Sequence, residues 1–136
     1  MEFMNAYKHL EKLCGDLLND ERRISAYIDE MAKISDGTSK VYNWDNDLKK
    51  LKHYRWIRNQ IVHEPDCQED NMCHPDDVAW LNNFYSRIIR LIRLHFIPKT
   101  TKLTLRLKHK KILIALHRGK KYTVKQSVLL ILHYFL

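Results

Sequence analysis

Only six residues of this 136-residue chain turn or break a backbone easily, the glycines at 15, 37 and 119 and the prolines at 65, 75 and 98. A sandwich or barrel of many short strands needs far more punctuation than that, so a few long helices joined by short links are expected. The prolines also fix boundaries. Pro65 disfavours the helical conformation of the residue before it, and Pro75 followed by Asp76 and Asp77 opens a helix with a ring-set φ and two carboxylates facing the positive helix end.

Between these marks, apolar residues recur every three or four positions. The first stripe is Phe3, Tyr7, Leu10, Leu13, Leu17 and Leu18, ending near Asn19. Asp20 and Glu21 suit the start of a second helix with the stripe Ile24, Tyr27, Ile28, Met31 and Ile34, stopped by Ser35, Asp36 and Gly37. A polar loop runs from Asp36 to about Tyr42. Asn43 is placed to cap a third helix through its side chain, and Trp44, Leu48, Leu51, Tyr54, Ile57 and Ile61 carry that helix to Glu64 at the latest. After the polar loop DCQEDNMCH, a fourth helix from Pro75 bears Val78, Leu81, Phe84, Tyr85, Ile88, Leu91 and Ile92 and closes before Pro98. The expectation is an all-α, up-and-down four-helix bundle over residues 1 to 98, followed by a basic extension over residues 99 to 136.

That extension differs in texture. TKLTLRLK alternates as a strand would, KKILIAL could pair with it, and the terminal TVKQSVLLILHYFL fits strand or helix. The formal charge of +8 comes from this end: residues 1 to 98 hold 14 Lys or Arg against 16 Asp or Glu, and residues 99 to 136 hold 10 against none. An acid-free segment of this kind is a solvated basic tail, or it holds a polyanion or an anionic membrane surface by counterion release.

With 45% hydrophobic and 29% charged residues, the chain reads as an ordinary globular protein. Its first residues lack the pattern of a secretory signal, and no run reaches the roughly 18 to 20 apolar residues that span a bilayer, so a cytoplasmic protein without integral membrane association is expected. Cys14, Cys67 and Cys73 are odd in number and form no CxxC pair, which suits free thiols in a reducing compartment.

The third helix ends WIRNQIVHEPD, bringing Arg58, Asn59 and His63 into its last turns. A histidine titrating near neutrality can take a proton from a ribose 2′-hydroxyl or return one to a leaving oxygen. An arginine supplies a permanent, forked donor to a phosphate as its negative charge grows. Asn59 and His63, four apart, share a helix face, so the amide could orient the imidazole, whereas Arg58 and His63 lie about 140° apart around an ideal helix. The RN dipeptide with a histidine after four intervening residues resembles the active-site motif of the HEPN ribonuclease superfamily. The resemblance covers about 100 residues if the helical architecture is included, and only these few positions are specific.

The resemblance implies a metal-independent endoribonuclease that needs no cofactor. Arg58 would be the phosphate clamp, His63 the general base or acid and Asn59 the orienting group. In that family the reaction centre forms between two subunits and cleavage leaves a 2′,3′-cyclic phosphate, so a homodimer acting on RNA is implied. Members include toxins and defence effectors, some beside a nucleotidyltransferase antitoxin, and some are non-catalytic. On the same helix Lys49, Lys50, Lys52 and Arg55 could guide RNA, and Trp56, off the apolar stripe, could stack on a base.

Other readings compete for these residues. Arg90 and His95 repeat the spacing without a polar residue after the arginine. Arg58 and His63 are alternatively a solvated cation and a histidine set against the negative end of a helix dipole. His63, Cys67, Cys73 and His74 are zinc-ligand types, but their spacing is not that of paired finger motifs, and no metal site is expected. Two other functions fit the chain: a non-catalytic module of the same shape that binds a protein or nucleotide, and an adaptor working through residues 99 to 136.

Overall fold

The apolar stripes fold as their periodicity requires. The computed structural model describes residues 2–96 together with Gln126 and Leu129. Six α-helices and no strands occur among the described residues: α1 Glu2–Leu18, α2 Ile24–Lys33, α3 Gly37–Lys40, α4 Trp44–His63, α5 Glu69–Met72 and α6 Pro75–Phe96. None of these is long and apolar enough to cross a membrane. The possible strands and most of the basic extension lie outside the described residues. Leu129, however, is helical and fully buried, within the same core as the four long helices.

Those four helices contribute matching layers. Phe3, Tyr7, Leu10 and Cys14 come from α1, Ile24, Tyr27, Ile28 and Met31 from α2, Trp44, Leu51, Tyr54 and Ile57 from α4, and Leu81, Phe84 and Ile88 from α6. An aromatic chain ties all four together. Phe3 meets Tyr54 at 6.0 Å between ring centroids, Tyr54 meets Trp80 at 5.3 Å, Trp80 stacks on Phe84 at 4.9 Å, and Phe84 meets the edge of Tyr27 at 6.2 Å. Each ring burial removes a large apolar area from water, and the offset and edge geometries add about 0.5–1.5 kcal/mol per pair.

Two buried positions among the described residues are charged, Glu30 on α2 and Asp47 on α4. Asp47 is buried on α4 and takes Arg87 of α6 through both carboxylate oxygens, at 2.9 and 3.4 Å, while the guanidinium lies 5.3 Å over the Phe84 ring. This pair joins the first half of α4 to the second half of α6.

The ends show local chemistry. Asn19 takes the left-handed conformation after α1, and Asp20 N–H reaches back to the Gly15 carbonyl at 3.2 Å, so a helix-closing turn forms where Asn tolerates positive φ. At the start of α6, Asp77 accepts from His74 N–H at 2.8 Å and from Tyr54 Oη–H at 3.0 Å, which caps the helix and pins it to α4.

Three local expectations need correction. Both segments read as polar loops contain a helical turn, α3 and α5, because short i→i+4 bonds, Val41 N–H to Gly37 O at 2.8 Å and Cys73 N–H to Glu69 O at 2.9 Å, close them despite their polar composition. Asn43 precedes α4 as expected, but not as a side-chain cap. It sits at φ 62° and makes no side-chain cap bond, and its backbone carbonyl receives Asp47 N–H at 2.9 Å. A left-handed residue turns the chain sharply into the helix, which Asn permits better than most residues.

Candidate functional site

The residues of the RN…H segment occupy the last turns of α4, and the segment after them is held in place by polar contacts. Asn71 Oδ1 accepts from Gln68 N–H at 2.8 Å and Asn71 Nδ2 donates to the Asp66 carbonyl at 2.9 Å. Glu69 then reaches across to α1, accepting from the amides of Phe3 at 3.2 Å and Met4 at 3.1 Å. Partial burial works to raise the Glu69 carboxyl, but positive charge and hydrogen bonds at the helix start, those of Met4 and Phe3 among them, outweigh it and hold the group below its ordinary value. An ionised Glu69 at the positive end of α1 thus fastens the α4–α6 connection onto the first turn of α1.

Two open grooves adjoin the RN…H segment. One, of about 650 Å³, lies between the first turns of α1 and the end of α4, and His63 lines it with Met4, Asn5, Lys8, Ile61 and Pro65. The other runs between α1 and the α1–α2 turn, where Arg58, Lys8, Lys12 and Arg23 share the lining with four carboxylates, Glu11, Asp16, Asp20 and Glu21. Within one chain the structure therefore places Arg58 and His63 in different grooves, as their separation around the helix demands. Lys8 lines both grooves and marks where they adjoin.

The motif residues differ in setting. His63 and Asn59 are exposed, and Arg58 is half-buried. Arg58 Nη1 donates to Asn59 Oδ1 at 3.1 Å, so the amide steadies the guanidinium, a partner other than the imidazole expected from spacing. Arg55 and Arg58 face Tyr7 closely enough to favour its ionised form, although burial dominates and pushes that phenol well up, with Glu11 adding to the effect.

The basic cluster divides between faces. Lys49 and Lys52 are exposed, and at helical spacing they align with Trp56, Asn59 and His63 along the outer side of α4. Trp56 is 52% exposed, as its position off the stripe suggests, and stacks on His53 at 6.1 Å and 20°. Lys50 and Arg55 are half-buried instead. Lys50 turns toward α6, its Nζ 5.9 Å from the Tyr54 ring and 5.7 Å from that of Trp80, so its charge serves an aromatic contact.

The four zinc-ligand types do not line one space. His63 and Cys67 border the α1–α4 groove, while Cys73 and His74 border another beside Phe3 and Val78. No metal-holding cluster occurs among the described residues. Burial, reinforced by Glu69 and Asp77, pushes the Cys73 thiol up to about 11, which keeps it protonated. In the repeated pair, Arg90 is exposed on α6, and the side chain of His95 lies outside the described residues.

Reasoning from sequence missed Lys8 and Asn5 on α1 and Glu69 on α5 as site residues. Only the first two had a signal, as polar positions one turn apart beside the apolar stripe of α1. Glu69 had none, because its partners are 65 and 66 residues away.

No curated protein and no solved structure matches this chain. Residues 1–93 match a family described as a family of unknown function, DUF6548; since that stretch is well over half of the sequence and holds α1 to α5, most of α6 and both grooves just described, the chain belongs to that family.

Proposed function

We propose that this protein is a metal-independent endoribonuclease of the HEPN type, acting as a homodimer, with the up-and-down arrangement of its four long helices serving as the frame for the site. The observation that carries this reading is the meeting of two solvent-open grooves at Lys8, one holding Arg58 and the other His63. A phosphate held by Lys8 borders both the groove of His63 and the groove of Arg58. His63 takes the proton of the 2′-hydroxyl, the 2′-oxygen bonds to phosphorus, and the bond from phosphorus to the 5′-oxygen breaks. That oxygen takes a proton from water, and a 2′,3′-cyclic phosphate remains. Arg58, steadied by Asn59, and Lys8 offset the charge that builds on the phosphoryl oxygens. A second copy of the chain supplies the closure that the separation of Arg58 and His63 within one copy calls for. On this reading Lys49, Lys52 and Trp56 form an approach for single-stranded RNA along α4, with Lys50 and Arg55 contributing charge beside it. A toxin or defence role, with or without a nucleotidyltransferase antitoxin, is compatible with this chemistry and is not needed for it.

The test is cleavage of a mixed-sequence single-stranded RNA. His63→Ala is expected to reduce the rate by at least a hundredfold while circular dichroism and oligomeric state stay unchanged, since removing a general base costs about 10²–10⁴. Wild-type products should carry 2′,3′-cyclic phosphates. Full activity in His63→Ala would refute the assignment.

The placement of Arg58 and His63 in separate grooves favours a second reading, a non-catalytic module of the same shape that binds nucleotide or protein at these grooves. Binding without cleavage by the wild type selects it. The adaptor acting through residues 99 to 136 predicts loss of function on deleting that segment and binding that weakens steeply with salt.

A further inference from the structure

The His63 groove has a directional chemistry that the motif alone does not supply. Its loop end is fixed where Glu69 bonds the amides of Phe3 and Met4, and Lys8, one turn further along α1, marks the opposite end, adjoining the groove of Arg58. Between these ends the walls are apolar, from Met4, Ile61 and Pro65, with the Asn5 carboxamide on the lining, while the Gln68 side chain is engaged with the Asn71 backbone in the α5 capping box. Three carboxylates line the groove, Glu69 and Asp70 on α5 and Glu64 directly after His63, and the one lysine on the lining is Lys8 on α1. A volume of about 650 Å³ falls within the range of small-ligand sites.

An anion is favoured beside Lys8 and repelled from the carboxylates, while apolar walls with a carboxamide suit a planar ring system bearing donors and acceptors. We infer that this groove is the subsite for the nucleoside on the 5′ side of the cut. Its phosphate lies toward Lys8, its ribose beside His63, and its base between Met4, Ile61 and Pro65 with Asn5 on the base edge. The inference rests on the ribonuclease reading for the role of His63 and goes beyond it by naming a base-selecting site. The 5′ nucleoside is the one that carries the attacking 2′-hydroxyl, so the residue taking that proton must border its ribose, and His63 borders this groove. Asn5 is then a specificity-determining residue, since a carboxamide paired to a base edge penalises a base that leaves it without a partner.

Two readouts test this on the full chain. The four nucleoside 3′-monophosphates and inorganic phosphate are titrated into ¹⁵N-labelled protein, wild type and Asn5→Ala. Asn5 is exposed on a helix, so alanine there preserves the fold. Shifts are expected at the amides of Asn5, Val62, His63, Cys67 and Gln68, with one nucleotide binding at least about fivefold tighter than the other three and that advantage lost in Asn5→Ala, as removal of a hydrogen bond worth roughly a factor of ten requires. In parallel, the bases bearing 2′,3′-cyclic phosphate on cleaved mixed-sequence RNA are counted for both proteins. The same base should dominate with the wild type and lose its lead with Asn5→Ala. Equal affinity for all four nucleotides and for phosphate alone, or shifts elsewhere, overturns the subsite even if RNA is cut in a His63-dependent way. Selective binding in the groove without any cleavage upholds a base-selecting nucleotide site there and overturns its assignment to the 5′ side of a cut together with the catalytic reading.

Discussion

Replacing Arg87 with methionine keeps most of the side-chain volume but removes the guanidinium from Asp47, whose residue is only 1% exposed. Breaking a buried ion pair from one side commonly costs 3–5 kcal/mol. Because the Arg87 side chain is itself 21% exposed, water can follow into the vacated position, which points to the lower limit, about 3 kcal/mol. The reverse change, Asp47→Leu, should cost less, about 1–2 kcal/mol, since the arginine can turn its charged end to solvent on its flexible stem. With both changes an apolar pair replaces the ionic one, and stability should return to within about 1 kcal/mol of wild type. A loss of 3 kcal/mol is a large share of the roughly 5–15 kcal/mol that holds a domain folded, and corresponds to a melting point lower by about 10 °C. Urea unfolding at pH 7 followed by far-ultraviolet circular dichroism gives all three values from one double-mutant cycle. Costs below 1 kcal/mol for both single changes, or a double variant as unstable as the sum of the two, would refute the view that Asp47 and Arg87 act as one buried unit.

Two further outcomes follow from packing and ionisation. A Cβ added at Gly37 would clash with the indole of Trp44, a large buried side chain, so Gly37→Ala should destabilise the protein by about 1–3 kcal/mol through overpacking, and an unchanged urea midpoint would show that the α3–α4 turn can yield. Burial, first among the causes for each, raises Tyr7, Tyr27 and Tyr54 above their ordinary value, so the folded state keeps these protons to higher pH than the unfolded chain. Their contribution is complete below about pH 10 and is lost as pH rises beyond it. Tyrosinate absorbance should therefore grow cooperatively with unfolding, and an independent titration of all seven tyrosines near pH 10 would contradict this.

The four long helices were legible because each carries an apolar stripe and a strong boundary, Asn19, Ser35 with Gly37, Pro65 or Pro75. What periodicity misses is polarity that tertiary structure satisfies. Asp47 sits in phase with Trp44, one turn earlier, and Leu51, one turn later, and Arg87 lies in phase with Phe84. Each looks like an interruption of a core stripe until the other is found opposite it. The short helices α3 and α5 are hidden for a different reason. A four-residue turn is held by one or two local bonds and by docking, and α5 owes its place to Glu69 finding the start of α1.

The candidate site was legible only as far as one helix reaches. Arg58, Asn59 and His63 can be found because they are near in sequence, yet the angle that brings Asn59 and His63 to one side sends Arg58 toward α1. Chemistry that needs both an imidazole and a guanidinium must then draw on a third element. Here that element is α1, where Lys8 borders both grooves and Asn5 lines the one that His63 shares. Phe3 and Met4 bring it there by binding Glu69 from the connection that follows α4, so the packing that closes the fold also decides which polar side chains face the motif. A ribonuclease built on this helix would therefore depend on α1 as much as on the motif, and substitutions at Lys8 and His63 should impair it together while those at the buried Asp47 act through stability alone.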